Sequence, residues 1–109
     1  MILVTSDTIP GRDIASSLGV VRGNSVRARH LGRDITALFK NMVGGELEEY
    51  TKLMAESREQ AIDRMIAQAA SLGADAIVCL RFASSEIATG AAEILVYGTA
   101  VKLAADGRG

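Results

Sequence analysis

Tryptophan is absent, and phenylalanine and tyrosine occur only twice each in 109 residues. A core made from this chain must be filled by aliphatic side chains and alanine, so self-association would add buried area that a small, aromatic-poor core lacks. The single cysteine, Cys79, excludes an internal disulfide framework and fits a reducing compartment. The single histidine, His30, leaves Ser-His-Asp catalysis and His-x-x-x-His metal binding little to work with. No stretch approaches the ~20 apolar residues of a membrane span, and the opening run Met1 to Asp7 lacks the basic start of a signal peptide. A net charge of −1 gives no overall attraction to nucleic acid or anionic lipid. These absences lead to the expectation of a soluble cytoplasmic protein with no membrane partner.

What is present is aliphatic and strongly patterned. Residues 1–103 read as a single domain, followed by a small polar tail, 104–109, expected to fray. The longest signal is a helix from Glu46 to a stop at Gly73. Leu47, Tyr50, Met54, Ala61, Ile62, Met65, Ile66, Ala69 and Leu72 fall at spacings of three and four and draw one apolar stripe. Glu46, Glu48 and Glu49 suit the positive end of the helix dipole, and Gly73 sits where a left-handed residue ends a helix.

Before it, Ile2 to Thr5 reads as a strand and Pro10-Gly11 as a turn. Ile14 to Ala28 reads as one long strand in which Gly19 and Gly23 mark bulges or close backbone approach. Leu31, Ile35, Leu38, Phe39, Met42 and Val43 predict a first helix, with Asp34 near its start and Gly44-Gly45 as the break between the two helices. After Gly73, strict alternation along Ala74 to Ala88 sends Ala76, Val78, Leu80 and Phe82 to one face, and Ile77, Cys79, Arg81, Ala83 and Ser85 to the other. A turn at Ala88-Thr89-Gly90 leads into a last strand, Ala91 to Leu103. Both faces of this final hairpin are apolar over part of their length, yet one helical layer covers only one face, so the second face needs cover from another subunit. The fold class is therefore α+β, an antiparallel sheet with a helix pair packed on one face.

Gly44-Gly45-Glu46-Leu47-Glu48-Glu49-Tyr50, the later Arg58 and Ala61, Leu72-Gly73-Ala74-Asp75-Ala76-Ile77-Val78 and Tyr97-Gly98-Thr99-Ala100-Val101-Lys102 together resemble the YbjQ-like family. Its small bacterial and archaeal members have no assigned function and carry a heavy-metal-binding label. The likeness spans nearly the whole chain. It implies a dodecin-like subunit assembling into a ring, a homopentamer, in which Gly44, Gly45, Tyr50, Arg58, Gly73, Asp75, Gly98 and Thr99 are motif residues with structural roles. It also implies a small residue such as glycine at the position of Cys79.

The label raises a metal ion as cofactor, with His30, Asp34 and Cys79 as candidate ligands. One subunit cannot build a conventional soft-metal site from these, so symmetry-related copies would have to complete it. The bland reading makes His30 a surface residue and Cys79 a small buried hydrophobe. Arg22, Arg27, Arg29 and Arg33 form a basic run that could hold a small anion. Their structural reading is as a complement to the six acidic residues between Glu46 and Asp63, where only two basic residues occur. Without stacking aromatics near the arginines, nucleic acid is a poor candidate partner. Two functions follow. The first is a non-enzymatic ring that binds a metal ion or small anion at a site made by assembly. The second is a small enzyme with its active site at the subunit boundary, using Tyr50, Arg58, His30 or Asp75.

Overall fold

The computed structural model describes residues 1–28, 44–88 and 91–105. Four strands and one long helix are present among them: β1 (Ile2–Leu3), β2 (Ile14–Ala28), α1 (Gly44–Ser71), β3 (Ala76–Ala88) and β4 (Ala91–Leu103). The sheet order is β1-β3-β4-β2. The β2–β4 and β3–β4 pairs are antiparallel, as expected, but β1 runs parallel to β3, so the sheet is mixed. The first predicted helix falls within residues 29–43, outside the described part of the chain.

Helix α1 follows the predicted stripe over its second half. Ala61, Met65 and Ala69 are fully buried, and Met54 and Ile62 pack against them. Its end is a Schellman motif. Gly73 has φ 79°, its N–H donates to Ala70 O at 3.0 Å, and the Ala74 N–H donates to Ala69 O at 3.1 Å. The start differs from expectation. Gly44 and Gly45 lie inside α1, two residues ahead of the expected start at Glu46, and the break expected before it falls against residues outside the described part.

Strand β3 does not alternate from end to end. Val78 pairs with Thr99 and Arg81 with Tyr97, so Cys79 and Leu80 together oppose Gly98. This is a β-bulge, and Cys79 takes the left-handed conformation with φ 58°. The bulge exchanges the faces. Ile77 and Leu80 join Val21, Met65, Val96 and Ala100 in the core beneath α1, whereas Ala76 and Val78 join Val101 and Leu103 on the opposite side. Beyond the bulge Phe82 pairs with Val96 and lies on the α1 side, while Ala83 pairs with Leu95 on the other. The predicted grouping of Ala76 and Val78 with Leu80 and Phe82 is thus corrected by one extra residue. Gly98 suits its place because a Cβ there would press within 2.9 Å of Val78 O.

A left-handed L-residue other than Gly, Asn or Asp costs about 1–2 kcal/mol. Cys79→Gly removes that strain, at the expense of the thiol's packing and added unfolded-state entropy. A net gain of roughly 0.5–1 kcal/mol is expected, read as a melting temperature several degrees higher; a lower melting temperature would mean the side chain's packing outweighs the strain.

The second sheet face is covered at one end by the chain itself, where the sequence called for another subunit. Following β1, Val4 N donates to Ile77 O at 3.0 Å, Leu80 N to Val4 O at 3.1 Å and Cys79 N to Ser6 O at 3.0 Å. Ile9 then packs with Ala76, Val78, Val101 and Leu103, and Val4 and Cys79 lie against that cluster. The cover stops there. From Arg81 to Ala88 every residue of β3 is exposed, and among the described residues no backbone hydrogen bond reaches its outer edge.

Candidate functional site

Gly23 determines where α1 sits. It faces the helix with no side chain, and an added Cβ would fall onto the Ala61 carbonyl, the Met65 amide and the Arg64 Cβ. Backbone therefore lies against backbone at this crossing. On the same face of β2, two residues on, Ser25 is fully buried and meets the equally buried Ser57. The Ser57 hydroxyl donates to Ser25 Oγ at 3.0 Å, which donates to Gln60 Oε1 at 2.7 Å, and Arg27 Nη2 donates to the same oxygen at 3.2 Å. Neither serine could be left unpaired in this position without a desolvation cost of about 1–3 kcal/mol.

Two further helix residues close the outer edge of β2. Arg22 N donates to Gln68 Oε1 at 2.7 Å, and Arg64 Nη1 donates to Asn24 O at 2.7 Å. An edge strand normally offers such groups to another chain. Here α1 occupies them at the middle of β2, while the outer half of β3 stays open.

Helix α1 packs mainly on β2 and β4, so the helix-side surface of the outer half of β3 forms a step beside it. Arg58 on the helix wall, with Phe82, Ala83, Ser84 and Ile94, lines a cleft of about 180 Å³ in that step. Phe82 is 47% exposed. A guanidinium, an aromatic face and a hydroxyl meet there, a set suited to holding a small anion or the polar end of another chain.

The other predicted residues are dispersed. Arg22 and Arg27 lie on opposite faces of β2, since Arg22 pairs with Tyr97 and Arg27 with Ala92. They do not form one surface, and Arg29 and Arg33 lie outside the described residues. His30 and Asp34 do too. Cys79 sits at the bulge against the apolar Ile9 cluster, and among the described residues no three His, Cys, Asp or Glu side chains come together to hold a metal. The described part of one chain thus does not fit a soft-metal site. Tyr50 is in α1, and Thr99 bridges Val20 and Val78 across the sheet.

Asp75 has a definite task. Its carboxylate Oδ2 accepts a hydrogen bond from Leu103 N at 2.9 Å, and Oδ1 is 3.6 Å from Lys102 Nζ, tying the exit of α1 to the end of β4. The Leu103 N–H lowers the carboxyl's pKa below its ordinary value; partial desolvation opposes this, and Lys102 and Arg12 support it. A depressed carboxylate contributes stability that is present above its unfolded pKa and lost as pH falls through the folded one. The stability difference between the native protein and Asp75→Asn should therefore be present at neutral pH and shrink on acidification, in denaturant titrations at stepped pH. A constant difference would remove the charge from the account.

Asp75 precedes the start of β3 at Ala76, whereas Arg58 lies beside the strand's middle at Phe82 to Ser84. They do not share a cleft. Ser25, Ser57, Gln60, Arg64 and Gln68 escaped the sequence reading. The signal for Ser57 was its place between Met54 and Ala61 in the stripe, and for Ser25 its alternation with Val21 and Gly23.

No helix among the described residues is long and apolar enough to cross a membrane. Residues 1–104 match a family model described as "Putative heavy-metal-binding". A UPF0145 protein of Thermosipho melanesiensis is 59% identical over 103 residues, covering 94% of this chain and 95% of the relative. One from Halobacterium salinarum is 55% identical over 104 residues, covering 95% of this chain and all of the relative. A crystal structure of a Pediococcus pentosaceus protein of unknown function, from the DUF74 family, matches with a TM-score of 0.66 at 16% identity, over 95% of this chain and 98% of that one. That last likeness concerns the fold alone.

Proposed function

This chain belongs to the YbjQ-like family, and from that premise we propose that it is a non-enzymatic subunit of a homo-oligomeric ring whose ligand site is completed by neighbouring copies. The ligand class is a metal ion or small anion, and the dodecin-like, five-copy arrangement suggested by the family likeness is the form we favour. The setting proposed is the cytoplasm, in keeping with one unpaired thiol.

The observation that carries this reading is the apolar surface that the described residues leave exposed on the sheet. Among the described residues, large apolar side chains are exposed where the sheet is uncovered, at Phe82 and Ile87 on β3 and at Val20, Val26 and Tyr97 on β2 and β4. Arg58 and Ser84 border that region, which supports a ligand site at a seam between copies.

Native mass spectrometry of untagged protein, purified without chelator and repeated after denaturation, tests both parts. A multiple of the chain mass carrying extra mass that disappears on denaturation is expected. A ring without extra mass would leave the assembly standing and remove the ligand.

A further inference from the structure

We propose that the cleft beside α1 is a binding site for a small aromatic monocarboxylate, a molecule of benzoate's size held by Arg58 at its charged end and by Phe82 along its ring. This rests on the small-anion reading above and names the chemistry of that anion.

The cleft has two kinds of wall. Phe82, Ala83 and Ile94 are apolar, while Arg58 and Ser84 supply a guanidinium and a hydroxyl. Ile94 is buried in the core beneath α1 and pairs with Ser84, so the cleft opens outward from the core past the half-exposed ring of Phe82. The guanidinium is also uncommitted. Arg27 donates to Gln60, Arg64 to the Asn24 carbonyl and Arg81 to the Thr5 carbonyl, whereas Arg58 makes neither a hydrogen bond nor an ion pair among the described residues.

These properties select the ligand. A permanently charged planar fork with no carboxylate in the lining suits a single carboxylate, which it meets through two parallel hydrogen bonds, and it repels a metal ion. The hydroxyl of Ser84 is a further donor to the same charge. The apolar remainder suits an apolar body, because inorganic phosphate would leave Phe82 and Ile94 without a partner surface. An aromatic body gains further from an offset stack on the Phe82 ring. The volume, about 180 Å³, lies below the roughly 300 Å³ at which pockets for drug-sized ligands begin, so one ring with its carboxylate suffices. The other open cleft, about 340 Å³ at the turn from Thr8 to Ile14, sets Arg12 beside Asp13 and offers no such uncancelled charge.

The test is a ligand-observed NMR titration of the full native chain with benzoate, with benzyl alcohol as the ring without the charge, and with inorganic phosphate as the charge without the ring. Benzoate is expected to bind with a Kd on the order of 1 mM or tighter, and the other two about tenfold more weakly or worse. Because the guanidinium stays charged, benzoate binding should be lost on acidification only as benzoate itself takes up a proton. Arg58→Gln, verified as folded by circular dichroism, should weaken benzoate about tenfold or more and leave benzyl alcohol unchanged. Should that variant fail to fold, Phe82→Ala takes its place, weakening benzoate about threefold or more with phosphate unchanged. Absence of benzoate binding overturns the assignment, as does phosphate or benzyl alcohol binding as tightly as benzoate, or a folded variant that binds benzoate as the native protein does. Native mass spectrometry of the same sample separates the two readings. A monomer that binds benzoate keeps this site and removes the ring, while a ring that does not bind benzoate keeps the assembly and removes this ligand.

Discussion

Gly23→Ala is expected to destabilise the subunit by about 3 kcal/mol or more, at the upper end of what overpacking costs. Most overpacked sites are relieved by a side chain changing rotamer. Here the new methyl meets the Ala61 carbonyl and the Met65 amide of α1, together with the Arg64 Cβ at 3.0 Å. Backbone cannot rotate away, so the helix must move off the strand. That displacement would also lengthen the 3.0 Å contact between Ser57 and Ser25 and the 2.7 Å bond from Ser25 to Gln60, leaving buried hydroxyls short of partners. Urea titration should give a lower midpoint at an unchanged slope, since the surface exposed on unfolding stays the same. An unchanged midpoint would mean that α1 does not cross β2 at this glycine.

Met65→Ala is the second large effect, a loss of about 3–4 kcal/mol within the range for such truncations. Met65 is fully buried, and its nearest helix neighbours on the stripe, Ala61 and Ala69, are already small. The remaining lining includes Val21, Val96 and Ala100, all on strands. Val21 and Val96 are stiff at χ1 and Ala100 is too short to reach the vacated space, so much of the cavity persists, with Met54 and Ile62 at its margin. Met65→Leu, nearly equal in volume, should cost less than about 1.5 kcal/mol. If the alanine variant loses no more than the leucine one, the core under α1 can collapse and the aliphatic packing is looser than described.

The parts legible in the sequence were those set by a regular period. The stripe from Met54 to Ala69 identified the buried side of α1, and Gly73 marked its end, because an apolar period near 3.6 and a left-handed glycine each have one dominant structural cause. Gly19 and Gly23 were also read usefully. A register shift separates Ser17 from Gly19 in the pairing of β2 with β4, and Gly23 is the point of closest helix approach.

What escaped was set by tertiary contact. A bulge adds one residue without altering the run of apolar letters, so strict alternation placed Ala76 and Val78 on the face that Leu80 and Phe82 occupy. The one clue was a family likeness that implies a small residue at position 79. The serine pair was missed because Ser25 and Ser57 are 32 residues apart, and each is ordinary until the other is placed beside it. The cover supplied by Ile9 depends on an irregular segment after β1, which has no period to read. Of the candidate site residues, Arg58 entered through the family likeness, and the structure places it beside the exposed face of β3.

The central claim is that a single chain is only part of the working particle. Small-angle X-ray scattering calibrated for mass, on untagged protein at micromolar concentration, tests it most directly. The account predicts a mass several times the 11.5 kDa of one chain. A particle of one chain mass would contradict it, because the exposed sheet would then belong to the finished protein.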